Sequence, residues 1–160
     1  TVSALDVFNY MYAVFHSPTY RQRYAEFLKL DFPRLPLTSD QRLFKQLAEW
    51  GGQLVKIHLM EAEIENECSF PIKGSNVVEK LVYKEEKVYI NQTQYFDHVT
   101  PDVWEFHIGG YQVCEKWLKD RKGRGLSFEE CSRYLYILAA LAKTRTIMEK
   151  IDETIPNFPI

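Results

Sequence analysis

Apolar residues recur at three- and four-residue intervals near both ends of this 160-residue chain and at alternate positions in its middle. Leu5, Phe8, Met11, Tyr12 and Phe15 share one face of a helix predicted over residues 4–15. Ser17 followed by Pro18 marks a helix start, with the hydroxyl as cap and the proline at the first helical position. Tyr20, Tyr24, Phe27 and Leu28 then lie on one face of a second helix, with Arg21, Arg23 and Lys29 off it. In "DFPRLPL", Pro33 and Pro36 forbid a helix and predict an extended connector. Thr38 is expected to cap the next helix, with Gln41 completing a capping box. Its stripe is Leu43, Leu47, Trp50, Leu54, Ile57 and Ile64, which predicts a helix over residues 38–66. Gly51-Gly52 sits inside the stripe, where each glycine costs about 1 kcal/mol relative to alanine. Close packing or a bend is expected there. The run Glu61, Glu63, Glu65, Glu67 reads as a solvated face.

The middle changes period. "VVEKLVY" at 77–83 and "KVYIN" at 87–91 are β-branched and aromatic, and "KEE" between them predicts a hairpin loop. Residues 92–100 read as polar loop. Pro101 opens a short helix through Phe106 that Gly109-Gly110 ends, and Tyr111 to Leu118 predicts another, closed by Gly123 and Gly125. Ser127 and Glu130 form a capping box for a last helix to about Ile151, striped by Cys131, Leu135, Leu138, Leu141 and Met148. Pro156 and Pro159 stop it. The fold class is α+β and mainly helical: long amphipathic helices at both ends flank a small antiparallel hairpin or sheet with loops. One domain over 1–160 is expected, with a helical arm at 1–66, a β/loop recognition region at 70–125 and a C-terminal helix at 127–153. Because Thr1 falls inside an amphipathic pattern without an initiator Met, the chain reads as a piece cut from a longer protein.

Composition narrows the chemistry. The chain is 46% hydrophobic and 26% charged, enough apolar content for a packed core. A net charge of −2 argues against a uniformly basic surface but not against a local basic patch. Cys68, Cys114 and Cys131 are odd in number and lack CxxC spacing, which excludes a disulfide framework and predicts a reducing cytoplasm. Charges interrupt every apolar run before the ~18 residues of a membrane span.

Catalytic motifs are absent. Cys114 and His107 share the segment "VWEFHIGGYQVCEKWLKDRKGRG", but a nucleophile–base pair is defined in space, and Cys114 falls on the apolar side of its helix beside Val113, Trp117 and Leu118. His16, His58, His98 and His107 are scattered, and no HExxH, Cys/His cluster or EF-hand pattern suggests a metal. No Walker loop or GxGxxG is present.

A binding reading has more support. Lys116, Lys119, Arg121, Lys122 and Arg124 concentrate positive charge against Glu115 and Asp120, with Gly123 and Gly125 letting backbone approach another surface. Such a loop can hold phosphates, although a solvated helix end has the same composition. The hairpin adds Lys80, Lys84 and Lys87. Asn91, Gln92, Thr93, Gln94 and Tyr95 follow, residue types that read base edges. Residues 80–124 therefore combine positioning with readout.

These motifs resemble a known family. "YMYAVFHSPTYRQRYAEFLKLDFPRLPLTSDQRLFKQLAEWGGQLV" resembles the segment that follows the methyltransferase domain in type ISP restriction-modification enzymes and related adenine-specific DNA methyltransferases. "VVEKLVY", "KVYINQTQYF" and "VWEFHIGGYQVCEKWLKDRKGR" are similar to the rest of their C-terminal specificity domain, and the stretch from Trp104 to Arg124 is the most specific part. "FPRLPLTSDQRLFKQLAEWGGQLV" is similar, more loosely, to the Pro-rich turn and spacer helix of type I specificity subunits. The resemblance implies a parent that joins a nuclease, a helicase-like ATPase and an N6-adenine methyltransferase to this domain. It implies that double-stranded DNA and the upstream methyltransferase domain are the partners. S-adenosylmethionine, with ATP and Mg, would bind elsewhere in the parent, and no cofactor is expected in this chain, which lacks an NPPY-type motif. Base-reading residues vary with target in this family, so none is transferred. From charge and residue type, the expected DNA contacts are Lys80, Lys84, Lys87, Asn91, Gln92, Gln94, Tyr95, Lys116, Lys119, Arg121, Lys122 and Arg124. The alternative is an interdomain docking module whose basic loop is only solvated surface.

Overall fold

In the computed structural model, residues 1–31 and 33–158 are described. Phe32 of the connector and Pro159 lie outside them. The elements are α1 (Ala4–Phe15), α2 (Pro18–Arg23), α3 (Ala25–Leu30) and α4 (Gln41–His58), then β1 (Val82–Lys84), β2 (Lys87–Tyr89) and β3 (Tyr95–Phe96). They continue with α5 (Pro101–Trp104), β4 (His107–Ile108), β5 (Tyr111–Gln112), α6 (Val113–Lys119) and α7 (Phe128–Thr154). The fold is thus α+β and mainly helical. It divides into two compact units: Thr1–Glu63 with the chain from Thr144 onward, and Ile64–Lys143. Residues of α7 belong to both.

The first unit is helical, and Gly51 sets its packing. A Cβ built on Gly51 would lie 1.7 Å from the carbonyl oxygen of Asn9, so the expected close approach is a backbone contact between α1 and α4. Tyr10, Ala13 and Val14 of α1 are buried with Leu43, Leu47, Leu54 and Ile57 of α4 and Ile147 and Ile151 of α7. Tyrosine hydroxyls fasten the extended connector, Tyr10 donating to the Pro36 carbonyl (2.7 Å) and Tyr20 to that of Arg34 (2.9 Å). Ser17 caps α2 as expected and also donates from Oγ to Asp152 Oδ1 (2.5 Å).

Three helix boundaries differ from expectation. The second helix breaks at Tyr24 (φ −105°, ψ 18°), whose ring packs on Tyr20 (5.1 Å) and Phe158 (6.1 Å), leaving Phe27 exposed. The α4 cap is Asp40, not Thr38: the Asp40 carboxylate accepts from the N–H groups of Arg42 (3.0 Å) and Leu43 (3.2 Å), while Thr38 Oγ1 accepts from Asp40 N (3.1 Å). A carboxylate reaching two free N–H groups at the positive end of the helix outcompetes a hydroxyl. The helix then ends at His58 instead of continuing to 66. Met60 takes a left-handed φ of 60°, its N–H bonds back to Ile57 O (3.0 Å), and that of Glu61 bonds to Lys56 O (2.9 Å). These are the paired bonds of a Schellman stop, here without the usual glycine. The acidic run and Ile64 therefore lie beyond the helix.

The second unit holds the sheet. β1 pairs with β2 and β2 with β3, all antiparallel, with Tyr83 opposite Val88 and Val88 opposite Phe96. The turn is Glu85-Glu86, both at positive φ (52° and 58°), as a two-residue type I′ hairpin requires. β3 lies in the span expected to be loop. Gly109-Gly110 does not end a helix but turns the β4–β5 hairpin, so Tyr111 and Gln112 are strand before α6 begins at Val113. Val78, Val88, Ile90, Phe96, Leu118, Tyr134 and Leu138 form the core under the sheet. Ser127 and Glu130 exchange the two capping-box bonds, each 3.1 Å, and α7 runs to Thr154.

Gly51→Ala should lower stability by about 1–3 kcal/mol, the scale of overpacking, although alanine ordinarily favours a helix. Urea unfolding followed by circular dichroism checks this, and equal or higher stability would remove the α1–α4 backbone contact. A second expectation concerns pH. His16 and His58 have rings 5.5 Å apart, His58 bonds Tyr12 Oη (2.5 Å) and Thr144 Oγ1 (3.0 Å), and burial holds both imidazoles below their usual pKa. The unfolded chain then takes up the protons first, so their contribution is intact above about pH 6.5 and is lost as pH falls below it. Urea midpoints at stepped pH should decline through that window, less steeply in His58→Gln.

Candidate nucleic-acid interface

Strand alternation sorts the hairpin residues onto two faces. Tyr83, Val88, Ile90 and Phe96 face the core, Tyr83 donating to Val99 O (2.6 Å) and stacking on Trp104 (5.0 Å). Val82, Lys84, Lys87, Tyr89 and Tyr95 carry the opposite parity. Tyr89 and Tyr95 are register partners with rings 5.1 Å apart. Lys84 Nζ lies 5.3 Å from the Tyr89 ring centre and Lys87 Nζ 5.6 Å from that of Tyr95. Lysines thus interleave with aromatic rings across one sheet face. A shallow cavity of about 280 Å³ opens there, lined by Glu79, Lys80, Val82, Lys84, Tyr89, Asn91 and Gln92. The structure thereby gathers Lys80, Lys84, Asn91 and Gln92 of the expected set, with Lys87 and Tyr95 on the adjoining strands.

Two members of that set build the surface from beneath. Gln94 is fully buried, and its amide makes four bonds: Nε2 donates to Ile72 O (2.9 Å) and Asn76 Oδ1 (2.8 Å), and Oε1 accepts from Asn76 N (2.8 Å) and Asn91 Nδ2 (3.0 Å). Asn91 Nδ2 also reaches Val77 O (3.0 Å), while its Oδ1 accepts from the N–H groups of Thr93 (3.0 Å) and Gln94 (2.8 Å). Their amides are consumed within the loop, so they hold the surface in shape and do not reach out from it. Gln92 is exposed and makes no side-chain hydrogen bond among the described residues.

The basic loop is largely neutralised. Lys116 pairs with Asp120 (3.1 Å) and Lys119 with Glu115. Arg121 stacks on Trp117 (3.7 Å), donates to Trp117 O (2.8 Å) and pairs with Glu130 (3.0 Å). Arg124 grips both oxygens of Glu130 (2.8 and 2.6 Å). These arginine bonds, Arg124 first, and the Ser127 N–H hold the Glu130 carboxyl well below the usual range. Lys122 is exposed and has no side-chain partner among the described residues. By contrast, Lys80 and Lys84 make no ion pair among the described residues. Lys87 lies 3.7 Å from Asp97.

Cys114 and His107 bond other partners and not each other. Burial pushes the Cys114 thiol up to about 12, and its Sγ contacts Val103 O (3.4 Å). His107 is exposed and bonds Glu105 O (2.6 Å). The three cysteines are free, and no cluster of three metal-ligating side chains occurs among the described residues. No helix among the described residues is long and apolar enough to cross a membrane.

The family described as the Type ISP C-terminal specificity domain matches residues 1–150. The chain belongs to that family. No curated protein matches it. Among solved structures, a nuclease-deletion mutant of the Type ISP restriction-modification enzyme LlaGI in complex with a DNA substrate mimic superposes with a TM-score of 0.71 at 21% identity, covering 99% of this chain. The ATP-dependent Type ISP enzyme LlaBIII bound to DNA gives 0.70 at 17% over 100%, and the DrdV–DNA complex 0.74 at 19% over 99%. The specificity domain spans only 14%, 12% and 18% of those chains respectively.

Sequence reasoning missed Glu79, Val82 and Tyr89 in this specificity domain. Parity was the available signal for Val82 and Tyr89, which alternate with core-facing Tyr83 and Val88, whereas Glu79 precedes β1 and had no such signal. Gln94→Ala should destabilise the domain by about 3 kcal/mol or more, because it removes the four bonds that the buried amide makes to Ile72, Asn76 and Asn91, at about 1–3 kcal/mol for each partner left unsatisfied. Gln92→Ala should stay within about 0.5 kcal/mol. Denaturant titration of both variants checks the pair, and a silent Gln94→Ala would dismiss the network.

Proposed function

We propose that this specificity domain recognises the DNA target of a larger restriction-modification enzyme and holds the duplex for an upstream N6-adenine methyltransferase domain. The observation that carries this is the outer sheet face, where unpaired Lys80 and Lys84 flank a groove beside two tyrosines in a member of this family. Methyltransfer requires the adenine to leave the stack, so a separate module has to hold register meanwhile. Lys80 and Lys84, with Lys122 of the loop, contact phosphates. Gln92, Lys87 and Tyr95 approach base edges from the sheet face, which as a β-ribbon suits the width of a major groove. Lys116, Lys119, Arg121 and Arg124 contribute less, since each has to exchange a carboxylate for a phosphate. S-adenosylmethionine, ATP and Mg belong to the rest of the parent, which works in the cytoplasm.

One observation favours a docking module without DNA contact: the ion pairing of residues 115–130 removes most of the loop's free charge. A salt titration separates the two readings. DNA affinity of the chain between about 50 and 200 mM salt should fall with a slope of about −0.9 per phosphate contact. Lys80→Ala with Lys84→Ala should shallow that slope by nearly two contacts, and Arg121→Ala with Arg124→Ala by less. A slope unchanged by the lysine pair overturns the sheet face as the DNA surface, and no binding by the wild type favours docking.

A further inference from the structure

We infer that Glu79 is a specificity-determining residue that reads an exocyclic amino group, cytosine N4 or adenine N6, at one position of the target. This rests on the reading of the outer sheet face as the DNA surface. Glu79 lines the same groove as Lys80, Lys84 and Gln92 and is exposed. Its backbone is fixed: Glu79 N–H donates to Ile90 O (2.6 Å), and the preceding Val78 is fully buried, with its N–H on Arg124 O (3.0 Å). Although two lysines share the groove, Glu79 forms no ion pair among the described residues, so its carboxylate is available as an acceptor.

A carboxylate on a DNA-facing surface is repelled by every phosphate whatever the sequence. It becomes favourable only where the duplex offers a donor. In the major groove the donors are the amino groups of cytosine and adenine, while guanine O6 and N7 and thymine O4 present lone pairs that an anion rejects. Glu79 therefore acts by exclusion as much as by attraction. It weakens binding generally and restores it at sites with an amino group in reach. The lysines around it act the other way, strengthening binding to all sequences.

Selection of duplexes from a randomised pool by the chain, followed by affinity measurements on the selected site and its single-base variants, tests this. Wild type should prefer C or A at one position by roughly ten-fold or more over G and T. Which of the two is preferred identifies the amino group. Glu79→Ala should reduce that preference to within about three-fold while binding the unselected pool as well as or better than wild type. Lys80→Ala should weaken binding to all duplexes and keep the preference. Matching thermal midpoints confirm that the variants are folded. If Glu79→Ala retains the wild-type preference at every position, or if the position it relaxes favours G or T, Glu79 is not the reader. Failure of wild type to select any sequence overturns instead the underlying assignment of this face to DNA, and Glu79 falls with it.

Discussion

A buried amide has to satisfy both its donors and its acceptor oxygen, and in this domain Gln94 does so by tying the 72–76 segment to the loop that follows β2. Its side chain joins Ile72, Asn76 and Asn91, and its backbone carbonyl accepts from Ile90 (3.1 Å). Gly74 leaves the room, since a Cβ there would lie 2.7 Å from Gln94 Cδ. With those bonds made, the chain leaving β2 turns in one way, β3 pairs in one register, and Tyr95 arrives opposite Tyr89. A slip by one residue would send the tyrosines inward and Phe96 outward. The outer surface of lysines and rings thus depends on an interior hydrogen-bond cluster.

Charge is distributed by the same logic of partners. Glu130 sits at the start of α7, where Ser127 and two arginines need an acceptor, and it serves all three. The arginines thereby close the loop against the helix instead of standing free. On the sheet face no carboxylate among the described residues forms an ion pair with Lys80 or Lys84, and their charge remains available to a polyanion. A cluster of positive residues in sequence and a positive surface in space are therefore different things here. The longest basic run is the better neutralised, and the scattered lysines of the hairpin are the more available.

Much of the architecture was legible in the sequence because local rules govern it. Helical periodicity located α1, α4 and α7, Ser17-Pro18 located the start of α2, and the Ser127–Glu130 box located that of α7. Alternation located the first hairpin. The misread boundaries have nonlocal or atypical causes. Met60 adopts a left-handed conformation that sequence statistics reserve for glycine, so the end of α4 carried no marker. β3 is only two residues long and exists because β2 offers an edge. Gly109-Gly110 suits both a helix stop and a hairpin turn.

The residues of the candidate site divide in the same way. Sequence alone determined that residues 80–124 hold lysines, arginines, amides and aromatics in a helical α+β frame, and it carried the family resemblance. Only the tertiary structure decided which of those groups are spent. Gln94 and Asn91 became interior because they bond each other, the carbonyls of Ile72 and Val77 and the amide of Asn76, Arg121 and Arg124 were claimed by Glu130, Val82 and Tyr89 were brought to the groove by strand parity, and Glu79 was brought there by the bond from its N–H to Ile90 O. Residue type is a local property, whereas the availability of a charge or a hydrogen-bonding group depends on which neighbours folding places within about 3 Å of it.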